Sequence, residues 1–97
     1  MTKGITSSGF AYEYDEARLD DMRLVDVIAE IDSPDATTFQ QAYAASRLIT
    51  MLLGPEMKQA LYEHIGKDND GRVPEAELER AIAEIMQGAG KSAEKNS

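Results

Sequence analysis

The stretch ATTFQQAYAASRLITMLLGP, residues 36–55, predicts one long helix and the start of the next. Gly54 readily adopts the left-handed backbone conformation that ends many helices. Pro55 lacks the N–H group that the first turn of a helix leaves unpaired, so it is suited to begin the following helix. The chain is therefore expected to turn sharply between two helices at this point.

The second half of this helix, residues 48–53, is apolar on nearly all sides. A surface helix of a globular protein carries a single apolar stripe instead. Two interpretations remain open. Either this half is the centre of a helical bundle, or it lines an exposed groove in which Leu48, Met51 and Leu52 bind an apolar helix of a partner.

Three further helices are indicated by apolar residues three and four positions apart and by a glycine or a turn after their ends. Two of them begin at a proline, Pro55 or Pro74, and Asp20 or Asp21 can cap the start of the other. The four predicted helices comprise residues 20–31, 36–53, 55–65 and 74–87. We expect an all-α fold, a small bundle of about four helices over residues 19–88. The polar flanks predict a flexible or extended arm over residues 1–18 and a disordered tail over residues 89–97.

The arm contains one feature that breaks this pattern, the stretch Phe10-Ala11-Tyr12-Glu13-Tyr14. Aromatic residues at every second position predict a β-strand. A single strand needs a partner, and residues 1–9 are small and polar, which predicts a flexible segment. Either Phe10, Tyr12 and Tyr14 bind another protein or another copy of the chain, or their rings cover the helices as an N-terminal flap.

Composition excludes several classes of function. The chain has 18 acidic and 10 basic side chains, a net charge of -8, and no cysteine. Disulfides and cysteine-based zinc sites are therefore excluded, and a nucleic-acid partner is not expected because such binding needs an excess of Lys and Arg. Residues 11–35 hold nine of the acids and two bases. This segment is either a solvated helix face or a patch that attracts a basic partner.

No pattern of residues indicates catalysis. His64 is the only histidine, and no serine, lysine or acid forms a recognisable catalytic arrangement with it. We expect no catalytic residues, no cofactor and no enzymatic activity. The chain also lacks an apolar run long enough to span a bilayer and does not begin like a signal peptide, so a soluble cytoplasmic protein is expected.

The loop between the third and fourth predicted helices, residues 66–77, resembles a calcium-binding EF-hand loop. Asp68 and Asp70 fall at positions 3 and 5 of that pattern, and Glu77 falls at position 12. Gly66, however, stands at position 1, where calcium sites have aspartate. We therefore expect no metal, with Asp68, Asp70 and Glu77 as a weak candidate site, and interpret the segment as a turn between two helices.

Three stretches resemble, in their order and spacing, the tail assembly chaperones of long-tailed, siphovirus-like bacteriophages or prophages. They are LDDMRLVDVIAEID, RLITMLLGPEMKQALYEHI and KDNDGRVPEAELERAIAEIM, between Leu19 and Met86. The resemblance implies a small helical protein, in the cytoplasm of the bacterial host, that binds the tape measure protein and keeps it soluble. Tail tube protein would then displace it. A calcium-responsive module and a self-associating helical adaptor, a homo-oligomer, remain the alternatives.

Overall fold

The computed structural model describes residues 1–95, with side chains as far as Gly88. Over this range the chain is mostly helical, as predicted, but a two-stranded sheet precedes the helices. The elements are the strands β1 (Thr2–Ile5) and β2 (Ala11–Tyr14), a 3-10 turn (Glu16–Leu19), and the helices α1 (Met22–Asp32), α2 (Thr38–Leu53), α3 (Pro55–Lys67) and α4 (Glu75–Lys95).

Residues 1–14 form an antiparallel hairpin, which corrects the prediction of a flexible segment followed by a lone strand. Gly4 pairs with Tyr12 across the two strands. The turn is closed by a hydrogen bond of 2.9 Å from the Thr6 backbone N–H to the Phe10 carbonyl. The strand that β2 requires as a partner is thus in the same chain. Its sequence, TKGI, was too short and too polar to indicate a strand by itself.

Helix α2 lies at the centre of the fold, where it contacts α1, α3, α4 and β2. Burial of each large apolar side chain stabilises the fold by about 2 kcal/mol, so this helix contributes much of the core. The buried residues of α2 are Ala44, Ala45, Leu48, Ile49, Leu52 and Leu53.

A capping box determines where α2 begins. The Gln40 backbone N–H donates to Thr37 Oγ1 at 3.1 Å, and the Thr37 backbone N–H donates to Gln40 Oε1 at 2.8 Å. Two N–H groups that would otherwise lack partners are satisfied in this way. The helix consequently starts at Thr38, slightly after the predicted start at Ala36, whereas its predicted end at Leu53 is confirmed.

Close packing around Tyr12 joins the hairpin to α4. The ring lies against Gly4 of β1 and Gly88 of α4, and a Cβ atom added at Gly88 would lie 3.3 Å from Tyr12 Cζ and closer still to the hydroxyl oxygen. A Cβ atom added at Gly4 would lie 2.6 Å from Tyr12 Cζ. Both glycines therefore provide room for the ring.

Helix α4 continues past Gly88, where the sequence predicted that it would end after Gln87, and reaches Lys95. In the sequence this glycine predicts the end of the helix, but in the structure it is the point at which the helix meets the Tyr12 ring. The predicted disordered tail comprises residues 89–97. The backbone of residues 89–95 belongs to α4, in contrast to this prediction, whereas residues 96–97 lie outside the described part of the chain and disorder there stays a prediction.

Candidate interaction surface

The aromatic residues of the hairpin, one of the two predicted partner-binding sets, are buried. Phe10, Tyr12 and Tyr14 are only 8, 6 and 2% exposed. The Tyr12 and Tyr14 rings stack with their centroids 6.3 Å apart, and burial raises the pKa of both phenols. The rings therefore cover the helices as an N-terminal flap, one of the two interpretations of the sequence. These three side chains do not form an exposed surface in the fold, because they belong to the hydrophobic core.

The second predicted set, at the end of α2, is also in the core. Leu48 and Leu52 are 1% and 0% exposed, and Met51 is partly buried against the same cluster. The Arg18 guanidinium donates a hydrogen bond of 2.8 Å to the Leu52 carbonyl and thereby covers this end of the helix. The interpretation as the centre of the bundle is correct, and the exposed groove is absent from the described structure.

The first half of α2 carries an exposed aromatic pair that the sequence interpretation missed. Phe39 is 82% exposed and Tyr43 is 62% exposed. The two residues are one helical turn apart and share a face. The spacing in the sequence indicates this exposure. Phe39 precedes the buried Leu48 by nine positions, or two and a half turns, and must therefore point to the opposite side of the helix.

Phe39 and Tyr43 form one wall of an open depression of about 410 Å³ beside the connection between α1 and α2. Glu30 of α1 and Asp35 of the connection lie at the same depression. We call this feature the α1–α2 surface. It is lined by Glu30, Ser33, Asp35, Ala36, Phe39, Gln40 and Tyr43. Its composition combines two aromatic rings with a rim of polar and acidic groups.

Arg47, a basic residue that contacts this surface, already has partners. Arg47 Nη1 lies 3.5 Å from Glu30 Oε2, and its guanidinium lies 5.8 Å from the centre of the Tyr43 ring. Asp32 and Asp35, by contrast, are exposed and make no ion pair with any described side chain. Asp35 lines the α1–α2 surface, so its negative charge remains uncompensated beside the two rings, and Asp32 lies three positions before it in the sequence.

The acidic segment, residues 11–35, is divided by the fold into two parts, of which the first makes local structural contacts. Glu16 Oε1 accepts a hydrogen bond of 2.8 Å from Thr2 Oγ1. This bond, together with its own backbone N–H and the nearby terminal amino group, lowers the pKa of Glu16 to about 2. Asp21 caps α1 and pairs with Arg23 at 2.9 Å, and hydrogen bonds from Arg23 lower the pKa of Asp21. The acidic residues of this segment that remain available to attract a basic partner are therefore those after the first turn of α1.

The EF-hand-like loop does not bring its carboxylates together. Within the described residues, no three His, Asp or Glu side chains lie close enough to hold a metal ion. Helix α3 extends to Lys67, so Gly66 is helical, and its carbonyl accepts a hydrogen bond of 2.8 Å from the Gly71 N–H. Glu77 lies 3.8 Å from Arg80 in α4. The observed geometry is that of a tight turn between two helices.

His64 contacts the hairpin turn. Its Nε2 atom lies 3.2 Å from Ser8 Oγ and 3.1 Å from the Ser8 carbonyl oxygen. No carboxylate among the described side chains forms a hydrogen bond to this ring. This contact links α3 to the hairpin turn.

None of the helices in the described part of the chain is long and apolar enough to cross a membrane. Comparison of the sequence with family models and with curated proteins, and of the fold with solved structures, found no match.

Proposed function

We propose that this chain is a non-enzymatic tail assembly chaperone of a long-tailed bacteriophage or prophage. In this role it binds the tape measure protein in the cytoplasm of the bacterial host and keeps that protein soluble. Tail tube subunits then displace it. The order of the three stretches between Leu19 and Met86 supports the choice of family.

The observation that carries a binding role is the exposure of Phe39 and Tyr43 on α2. Each Å² of apolar surface that stays exposed to water forgoes about 25 cal/mol of stabilisation by burial, and a large ring is most often buried. The chain buries its other phenylalanine, Phe10, and much of its remaining apolar content. Two neighbouring rings on the outside of such a fold are typical of a surface that binds another protein.

The proposed role requires reversible binding. Small interfaces that bury less than about 1,200 Å² are typical of transient complexes. A chaperone that tail tube subunits displace has to release its client readily, and several copies could cover a long client at repeated sites. The tape measure protein implied by the resemblance is long and largely helical, with apolar stripes that are exposed before the tube encloses them.

Co-expression tests this proposal. The chain is produced together with the tape measure protein encoded beside it, and the soluble fraction of the tape measure protein is compared with that obtained without the chain. We expect the soluble fraction to rise and the two proteins to co-purify. An unrelated helical protein that aggregates serves as the control client and should not be rescued. Unchanged solubility together with the absence of a complex would refute the proposed function.

A further inference from the structure

We propose that the α1–α2 surface binds one face of a basic amphipathic helix. In this complex apolar side chains of the partner cover the Phe39 and Tyr43 rings, and its Lys or Arg side chains lie beside Asp32 and Asp35. The inference rests on the proposed function in that the tape measure protein would supply such helices. Binding of such a helix to the α1–α2 surface can nevertheless be tested without the tape measure protein.

The apolar part of the argument follows from the spacing of the rings. Phe39 and Tyr43 are four positions apart on α2, and side chains at this spacing have Cβ atoms about 5–6 Å apart. The apolar stripe of another helix repeats at the same interval, so two of its side chains can contact the two rings together. The depression beside the rings, about 410 Å³, provides the space for these side chains.

The charge of the partner follows from Glu30 and Asp35, which line this surface, and from the acids that neighbour them in the sequence. Asp26, Glu30, Asp32 and Asp35 occur without any basic residue between them in the sequence. Arg47 compensates Glu30 only, at 3.5 Å. A partner with Lys or Arg beside its apolar stripe is attracted to this rim, whereas an acidic partner is repelled.

The position of these acids disfavours a purely structural role. Glu30 and Asp32 lie in the last turn of α1, which contains no basic residue. The C-terminal end of a helix carries partial negative charge, so acids there are unfavourable for the stability of the helix. Neutralising Asp32 should therefore leave stability unchanged or raise it, while it weakens binding of a basic partner. A structural role for Asp32 predicts the opposite effect on stability.

The same charges argue against a second copy of this chain as the occupant. Self-association through the α1–α2 surface would bring the acids Asp32 and Asp35 of one copy towards those of the other. Like charges in such an interface oppose association. A partner with the opposite charge is the occupant that fits both the rings and the rim.

The test uses a labelled synthetic peptide of about 18 residues, or about five helical turns. It carries a leucine stripe and lysines at the remaining positions, and a control peptide carries glutamates in place of the lysines. Binding to the full chain is measured by fluorescence anisotropy. We expect the lysine peptide to bind and the glutamate peptide not to bind. We also expect binding to weaken as salt rises from about 0.1 M to about 1 M, because the Debye length falls from about 10 Å to about 3 Å.

Variants then locate the binding site. Phe39→Ser/Tyr43→Ser should weaken binding of the lysine peptide at least tenfold. The matched control is Ile5→Ser/Met22→Ser, which removes two apolar side chains that are 72% and 69% exposed elsewhere and should leave binding unchanged. All four positions are exposed, so the variants are expected to fold, as circular dichroism will verify.

A second pair of variants tests the rim. Asp32→Asn/Asp35→Asn should weaken binding several-fold without lowering the melting temperature. Glu56→Gln/Glu63→Gln removes two exposed acids of α3 and should have no effect on binding. Equal weakening by both pairs would mean that net charge, and not the α1–α2 surface, attracts the peptide, and would overturn the inference.

The remaining outcomes are equally decisive. Absence of lysine-peptide binding, binding of both peptides, or equal binding by both serine double variants refutes the inference. A dimer in solution that Phe39→Ser/Tyr43→Ser converts to a monomer would identify a second copy as the occupant, also against the inference. A tape measure complex that survives Phe39→Ser/Tyr43→Ser would leave the proposed function standing and refute only this site. Peptide binding as expected, without any tape measure complex, would refute only the proposed function.

Discussion

The packing of α4 on the hairpin makes a prediction that a double-mutant cycle can isolate. A methyl group at Gly88 would collide with the Tyr12 hydroxyl, because the added Cβ atom would lie 3.3 Å from Tyr12 Cζ and closer to the oxygen. Tyr12 is only 6% exposed, and Gly4 lies against the same ring, so the ring has little room to move away. Gly88→Ala and Tyr12→Phe should therefore be strongly coupled.

The magnitude follows from two opposing effects. Extra volume in a packed interior costs about 1–3 kcal/mol. Alanine in place of glycine within a helix contributes about 1 kcal/mol of stability. Gly88→Ala alone should thus lower the free energy of unfolding by up to about 2 kcal/mol. In the Tyr12→Phe background the hydroxyl is gone, and the same change should be neutral or stabilising. The helix propensity is the same in both backgrounds and cancels, which leaves the steric term as a coupling energy of about 1–3 kcal/mol.

Urea unfolding followed by circular dichroism measures the four free energies of the cycle. Gln87→Ala is the matched control, since Gln87 is exposed on the same helix and should show no coupling to Tyr12→Phe. If Gly88→Ala stabilises the protein equally in both backgrounds, the coupling is zero. That result would refute the reasoning, because it would mean that α4 does not approach the Tyr12 ring.

Three further predictions concern the core, the helix cap and pH. Leu52→Ala should lower the free energy of unfolding by about 2–5 kcal/mol, since Leu52 is 0% exposed, whereas Phe39→Ala, 82% exposed on the same helix, should change it by less than about 0.5 kcal/mol. An equal decrease in the free energy of unfolding of both variants, measured with urea, would contradict the exposed position of Phe39. Thr37→Ala removes the cap of α2 and should cost about 0.5–2 kcal/mol, with Thr38→Ala as the weaker control. The pKa of Glu16 is lowered from 4.5 to about 2, so its contribution is present above pH 4.5 and is lost as pH falls towards 2. Glu16→Gln should flatten the decline of melting temperature in this range, and parallel declines would contradict the assignment.

The helical part of the fold was largely predictable because its boundaries depend on local chemistry. Gly54 and Pro55 favour the end of one helix and the start of the next independently of tertiary contacts. The structure places the end of α2 and the start of α3 there. Gly88 shows the limit of this reasoning. Glycine ends helices but also permits close approach, and only the position of Tyr12 in the folded protein decides between the two.

The hairpin and the exposed surface depended on information that is not local. The period of two at Phe10, Tyr12 and Tyr14 indicated a strand, but which strand or surface would cover the rings is a property of the whole fold. The α1–α2 surface was partly predictable, since Phe39 lies half a turn out of phase with Leu48. The depression itself requires the connection between α1 and α2 to fold back beside the rings, and no residue pattern specified that geometry.

The most direct test of the central claim is a light-scattering assay of tape measure protein aggregation. Denatured tape measure protein is diluted into buffer that contains the chain, and scattering is followed with time. The account predicts that the wild-type chain and Ile5→Ser/Met22→Ser suppress aggregation, while Phe39→Ser/Tyr43→Ser does not. Aggregation that proceeds unchanged with the wild-type chain, or that the Phe39→Ser/Tyr43→Ser variant suppresses equally well, would contradict it.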